Sequence, residues 1–436
     1  MKQTPLENWI LQRTGIHERS RQALEEYQIQ QLASTLHYAK DNSRYYKKLL
    51  AQTDIDSIKS ISGFHAVPFT YPEDIRKKPT DFLCVSEKEV KRIVTLNTSG
   101  TSGEEKRIYF TEGDLNQTID FFQYGMNCLT DQSDRVLVLL PGKAYGSIGD
   151  LLKKALALSH IECIVHGVLR DPEEVEQIIM ENGISCIVGI PMQILYFSRI
   201  KSEVFRKFIK KVLLSTDYVP GVLVQELESR FHCAVFNHYG MTEMGYGGGV
   251  ECQALTGYHL REGDLYFEII DPATGKPATD GQYGEVVFTT FGRQAMPLIR
   301  YRTGDMARFS KNYCPCGTFL RTMDKVIGRI TNKVVFDNSE EMHLRELDEI
   351  ILKYSEVLDY TAAFSRTDTL EICLTLMKGE LFEKLQEEIA ERICAGWKTD
   401  LKLRMTWKPD SRIFKITNSM GKRNLIRLQE GGGKDG

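Results

Sequence analysis

Residues 97–106 read Asn97-Thr98-Ser99-Gly100-Thr101-Ser102-Gly103-Glu104-Glu105-Lys106. So many small hydroxylated residues and glycines rarely gather except around a phosphate. Gly100 and Gly103 let the backbone turn tightly and bring its N–H groups near an anion, while Thr98, Ser99, Thr101 and Ser102 add hydroxyl donors and Lys106 a cation. A solvated Ser/Gly linker is the plainer alternative. The flanks argue against it, because Arg92-Ile93-Val94-Thr95-Leu96 and Arg107-Ile108-Tyr109-Phe110 are apolar runs with strand character. The setting is that of a hairpin closing a polyphosphate loop.

Two other nucleotide loops fail on counting. A Walker A loop starting at Gly100 needs glycine where Glu105 stands and Lys-Ser or Lys-Thr where Lys106-Arg107 stands. The cluster Gly245, Gly247, Gly248, Gly249 has Val250 where a dinucleotide fingerprint needs its last glycine.

Beyond the loop, continuous apolar runs alternate with helical periodicity: Val136 to Leu140, Ile161 to Val165, Cys186 to Ile190 and Lys211 to Leu214. Short strands interleaved with helices predict a parallel α/β sheet covered on both faces. Residues 1 to about 90 read as mainly helical, with Phe64 to Phe69 a short extended piece. Leu265 to Ile270 and Gly284 to Thr290 flank a turn-rich stretch and predict a β-rich subdomain. Past Gly328-Arg329 the pattern is strand, helix, strand, helix, strand, with helices at about 343 to 355 and 379 to 395. This gives an N-terminal domain over 1–328 and a small α+β domain over 329–436. The glycine-rich tail from Gly431 reads as disordered.

With 436 residues, 42% hydrophobic and 26% charged, the chain has the composition of an ordinary globular protein rather than a disordered or fibrous one. A formal net charge of −3 leaves no basic footprint for nucleic acid. No apolar run is long enough to span a bilayer, and Met1-Lys2-Gln3-Thr4-Pro5 lacks the apolar core of a secretory signal, so the cytoplasm is the expected compartment. Ten cysteines in a chain of this size do not make a disulfide scaffold.

Three later segments follow the loop in order: Tyr239-Gly240-Met241-Thr242-Glu243, Arg300-Tyr301-Arg302-Thr303-Gly304-Asp305 and Asn418-Ser419-Met420-Gly421-Lys422-Arg423. With the loop, they resemble the adenylate-forming superfamily of acyl-CoA synthetases. The short length and the run from Leu32 to Leu50 are most similar to its phenylacetate-CoA ligase branch. The resemblance implies an α/β fold with a large adenylate-forming domain and a mobile lid. It also implies a reaction in which a carboxylate attacks the α-phosphate of ATP, releasing pyrophosphate, and a thiol such as that of CoA then displaces AMP.

The resemblance assigns roles by position. Thr98 to Gly103 and Lys106 would take the phosphates. Glu243 would bind magnesium, an ion that needs carboxylate oxygen. Thr242 would contact phosphate and Tyr239 adenine, and Asn237 and Gly240 belong to the same nucleotide site. A helix N-cap role for Thr242 and Glu243 is compatible with these. Ser215, Thr216 and Asp217 stand where the family carries a Gly-Ala-Glu-like adenine contact. Asp305 would hold both ribose hydroxyls, as a two-oxygen acceptor can. Arg329 would reach the ribose or phosphate region, followed by Thr331 where the family usually has aspartate. Lys422 would hold carboxylate and α-phosphate oxygens during adenylation; a solvated basic tail is the alternative. Tyr145, Gly146 and Gly189 would lie around the acyl group, with Tyr145 reading equally as core.

Cys252, His259, Cys314 and Cys316 suit a tetrahedral zinc site, since zinc favours thiolates with imidazole and closed four-coordination when structural. Similar cysteines recur in some relatives of the branch. Two rivals stay open: an adenylate-former that passes its acid to an amine or protein thiol or transfers AMP to a cofactor, and a non-catalytic nucleotide-binding scaffold. A homodimer is compatible with the sequence.

Overall fold

The computed structural model describes residues 2–96, 105–336, 338–366, 369–397, 401–410, 423 and 425–427. The expectations for Thr98 to Gly103, for Asn418 to Lys422 and for the tail from Gly431 lie outside them.

The strands up to residue 323, in chain order, are β1 (Arg92–Leu96), β2 (Lys106–Phe110), β3 (Arg135–Leu139), β4 (Glu162–Val165), β5 (Cys186–Gly189), β6 (Lys211–Leu214), β7 (Ala234–Tyr239), β8 (Gly249–Glu251), β9 (Tyr258–Leu260), β10 (Leu265–Ile270), β11 (Gly284–Thr290), β12 (Tyr301–Ala307) and β13 (Thr322–Met323). Strands β1 and β2 form the expected hairpin, antiparallel with Leu96 opposite Lys106, so residues 97–105 connect adjacent strand ends. Eight strands line up as β13-β9-β8-β7-β6-β5-β3-β4. The β3–β4 pair is parallel, whereas β7–β8 and β8–β9 are antiparallel, so the sheet is mixed. Strands β10, β11 and β12 are antiparallel neighbours, the β-rich part expected after residue 260.

Local chemistry sets the helices. Thr111 and Asp114 cap the helix Glu112–Met126 reciprocally: the Asp114 N–H donates to Thr111 Oγ1 at 3.1 Å and the Thr111 N–H to Asp114 Oδ2 at 2.9 Å. The Asp114 carboxylate also accepts from the N–H groups of Gln294 and Ala295, at 2.7 and 3.0 Å, fixing the loop that precedes the Arg300 motif. Pro172 in the first turn and Gly183 at φ 60° bound the helix Pro172–Asn182.

Two sequence expectations need correction. Phe64 to Phe69 is not an extended piece: Ser60 caps a helical turn, Ile61–Phe64, and Pro68 has no N–H to give a ladder. Pairing begins at Thr70, whose N–H donates to the Arg300 carbonyl at 3.1 Å. In the C-terminal region the middle strand is a hairpin of two, Val357–Arg366 and Thr369–Leu376, between helices Leu344–Ile351 and Phe382–Gly396.

Two compact units emerge. One comprises Met1–Gly167, Cys186–Val188 and Phe236–Val326; the other comprises Val168–Ser185, Gly189–Val235 and Ile327–Gly436. The first has a deep aromatic and aliphatic core around Trp9, Tyr46, Phe82, Phe110, Phe121 and Phe288. In the second, Arg199 chelates Glu226 and donates to the Leu352 carbonyl at 2.7 Å, tying the helix Pro191–Ile200 to the C-terminal segment. Among the described residues no helix is long and apolar enough to cross a membrane.

Candidate active site

In the first unit the strand ends bring three side chains together. Lys106 opens β2, and Glu243 lies in the 3-10 turn Thr242–Met244 that follows β7. The Lys106 ammonium contacts Glu243 Oε1 directly. Tyr301, at the start of β12, donates its hydroxyl to the same oxygen at 3.1 Å and lies 3.2 Å from Lys106 Nζ. Glu243 is 3% exposed. A buried carboxylate needs this compensation, and the ammonium supplies positive charge where a metal cation would do the same. Beside it the Thr242 hydroxyl is buried with no hydrogen-bond partner among the described residues. That leaves a donor and acceptor for a phosphate oxygen or a water on a metal, so the residues fit a magnesium–phosphate group.

Asp305, on β12 and buried, accepts a hydrogen bond from the Tyr239 hydroxyl at 3.1 Å. The Asp305 N–H donates to Thr303 Oγ1 at 3.0 Å, which fixes the turn of the backbone. Asn237, two residues before Tyr239, donates its amide to Glu251 Oε2 at 2.6 Å. Gly240 is required by packing, since a Cβ there would stand 2.1 Å from the Tyr246 carbonyl oxygen.

Gly146 sits at φ 65° with its carbonyl accepting from the Tyr246 hydroxyl at 3.2 Å, and Tyr246 stacks on Phe110 with centroids 5.4 Å apart. Tyr145 does not join them: it is 47% exposed, with its hydroxyl on Glu112 and Lys154 Nζ 4.5 Å above its ring. It is therefore not a core aromatic.

In the second unit Ser215 is buried, Thr216 adopts φ 79° and its hydroxyl is buried without a partner among the described residues. The Gly189 carbonyl accepts from the Ser215 N–H at 3.1 Å. The Asp217 carboxylate accepts the Arg423 N–H at 3.0 Å. Arg329 is half-buried on the short strand Gly328–Arg329.

The four metal-site residues converge in the first unit. Cys252 follows β8, His259 lies on β9 and Cys314 and Cys316 occupy the loop before β13; all are buried, with ligand atoms within 4.8 Å of one another. Cys252 Sγ is 3.6 Å from Cys314 Sγ, and Cys316 Sγ is 3.7 Å from His259 Nε2. Thiolates 2.3 Å from a tetrahedral centre stand about 3.8 Å apart, so the spacing fits a zinc ion. Burial pushes the Cys314 thiol up, but hydrogen bonds led by His259 outweigh it and draw it down to about 6; the same set of contacts raises the His259 imidazole, so ring and thiol share charge as a pair.

Tyr301 and Arg293 were not singled out in the sequence. Tyr301 lies inside the Arg300 motif, where its position was the only signal. Arg293, buried, donates to the Glu243 carbonyl at 3.0 Å and lies 4.3 Å over Phe110, contacts no local pattern announces.

Comparison with known proteins follows the same lines. A phenylacetate-coenzyme A ligase of Thermus thermophilus is 25% identical over 392 residues, 86% of this chain and 85% of the relative. That of Escherichia coli is 25% identical over 349 residues, 77% of each. Among solved structures, a 2-hydroxyisobutyryl-CoA ligase in its postadenylation state superposes with a TM-score of 0.80 at 17% identity, covering 94% of this chain and 90% of that one. The sequence profile of AMP-binding enzymes matches residues 26–296, more than half of the length. The chain belongs to the AMP-binding enzyme family, within the adenylate-forming superfamily and similar to its phenylacetate-CoA ligases.

Proposed function

We propose that the chain is an ATP-dependent carboxylic acid–CoA ligase that forms an acyl- or aryl-adenylate and then a CoA thioester, releasing pyrophosphate and AMP. The observation that carries this reading is the Lys106–Glu243–Tyr301 cluster at the strand ends bracketing residues 97–105, with the Tyr239–Asp305 pair in the same unit. In the first step a carboxylate oxygen bonds to the α-phosphorus and the bond to pyrophosphate breaks. Lys106 and the loop Thr98 to Gly103 offset the phosphate charge, Asp305 holds the ribose and Lys422 steadies the oxygens at the α-phosphorus. Magnesium on Glu243, when bound, supplies further charge neutralisation. In the second step the CoA sulfur bonds to the carbonyl carbon and AMP departs.

Residues 329–436 form the proposed lid, and Cys252, His259, Cys314 and Cys316 the proposed structural zinc site. With no disulfide among the described residues, the ten cysteines suit a reducing compartment such as the cytoplasm. The test is pyrophosphate release from ATP with phenylacetate, 2-hydroxyisobutyrate and a set of aryl and short acyl acids, each with and without CoA. Thioester formation in the CoA arm is expected. Pyrophosphate release with no thioester would make the acceptor something other than CoA, and no release with any acid would overturn the reading.

A further inference from the structure

Arg423, the residue after Lys422, is held from every side within the second unit. Its N–H donates to Asp217 Oδ2 at 3.0 Å, while the other oxygen of that carboxylate accepts from the Tyr218 N–H at 2.9 Å. The carbonyl of Arg423 accepts from Asn332 Nδ2 at 3.3 Å, and Asn332 Oδ1 accepts from the Leu425 N–H at 2.8 Å. The Asn332 amide thus stands in for a neighbouring strand, taking one acceptor and one donor of the backbone as a ladder would. The guanidinium donates to Asp348 Oδ1 at 2.6 Å and lies 4.6 Å from the centre of the Tyr360 ring. Asp348 is 1% exposed and also accepts from the Tyr360 hydroxyl at 2.7 Å, so a second donor helps to orient the carboxylate that faces the arginine.

We propose that Arg423 is a positioning residue for adenylation, and that Asp217, Asn332 and Asp348 form the clamp that holds it. The proposal rests on the reading of the chain as an acid–CoA ligase with Lys422 acting at the α-phosphorus. A lysine ammonium rides on four rotatable bonds, so its reach is governed by where its backbone is anchored. Pinning the next residue through its N–H, its carbonyl and its side chain restricts that anchor. Misplacement of a catalytic group by about 1 Å can cost roughly 100-fold in rate. Asp217, placed by sequence position among the adenine contacts, also binds backbone N–H groups with its carboxylate. A clamp serving Lys422 should matter when pyrophosphate departs and not when CoA displaces AMP from a finished adenylate.

The experiment compares full-length wild type with Arg423→Gln, Arg423→Lys and Asp348→Asn. Measurements are phenylacetate-dependent exchange of labelled pyrophosphate into ATP, thioester formation from synthetic phenylacetyl-adenylate with CoA, thermal unfolding, and hydrogen exchange of the peptide covering residues 423–427. For Arg423→Gln the exchange kcat should fall roughly 10- to 100-fold with the KM for ATP within about twofold, while thioester formation is retained. Arg423→Lys, which keeps the charge facing Asp348, should recover part of the exchange rate. Equal loss in both half-reactions in step with stability would make the clamp a folding staple, and unchanged exchange would overturn it directly. Where phenylacetate supports no exchange in wild type, the best acid of the panel above and its adenylate take its place, and wild type failing to exchange pyrophosphate with every acid of that panel would count against the functional reading instead. Hydrogen exchange then decides the clamp: faster exchange at 423–427 in Asp348→Asn supports it and unchanged protection refutes it.

Discussion

Single residues near the end of β7 show how burial fixes chemistry. His238 packs between the rings of Phe121 and Phe122, with centroids 6.4 and 6.1 Å away, and burial lowers its pKa from 6.5 to about 4. Between those values the unfolded chain binds a proton that the folded chain refuses, so stability falls as the pH drops through that window. The loss should be on the order of 2–3 kcal/mol, read as a falling urea midpoint between pH 7 and 4.5. His238→Gln should flatten this segment of the profile; a variant that retains the full slope would assign it to other groups. Gly240 makes a sterically simpler case. The Cβ of Gly240→Ala would press on a backbone carbonyl and on His238 Cε1, 2.8 Å away, so the substitution should cost about 1–3 kcal/mol and lower Tm. Gly263→Ala, whose nearest neighbour would be 3.6 Å away, should stay within about 0.5 kcal/mol. Equal effects would show that packing does not select Gly240.

At the scale of elements, β8, β9 and the loop before β13 assemble three thiols and an imidazole from positions up to 64 residues apart. If they hold one structural zinc, purified protein should carry about one ion per chain, and a chelator should lower Tm and activity together. Metal analysis of untreated protein without zinc would remove the site, and lost turnover with unchanged Tm would make the ion catalytic. The residues of this cluster were legible in the sequence because soft ligands are rare and distinctive. Strands such as β3 and β11 were legible for a similar reason, each holding a short apolar run, as in Val136 to Leu139 and Val286 to Phe288, whereas β12, with Arg302, Gly304 and Asp305 among its seven residues, has none. The hairpin from Val357 to Leu376 was not, since Thr367-Asp368 between its strands offers neither glycine nor proline to mark a turn. Nor was the helical turn at Ile61–Phe64, whose four residues carry no period. Glu243 and Asp305 could be picked out by motif, but their partners Lys106, Tyr301 and Tyr239 meet them across 58 to 137 residues of chain, a separation no local pattern encodes.

Across the whole molecule, sequence texture divides the chain linearly near residue 328, whereas compactness groups 189–235 with the C-terminal part. Side chains explain that grouping: Glu349 accepts from the first N–H groups of the helix Gly221–Phe231, at 2.6 and 3.2 Å, and Arg423 reaches Asp217. A carboxylate at a helix N-terminus satisfies donors that would otherwise be orphaned. The central claim is that these parts activate a carboxylate by transferring AMP to it. The most direct measurement follows ATP labelled at the α-phosphate through a reaction with CoA, magnesium and whichever acid of the panel supports the fastest pyrophosphate release. The account predicts that the label passes through the acyl-adenylate of that acid, trapped when CoA is withheld, and ends in AMP with one thioester formed per AMP. Label recovered as ADP, or AMP formed at the same rate without any acid, would contradict it.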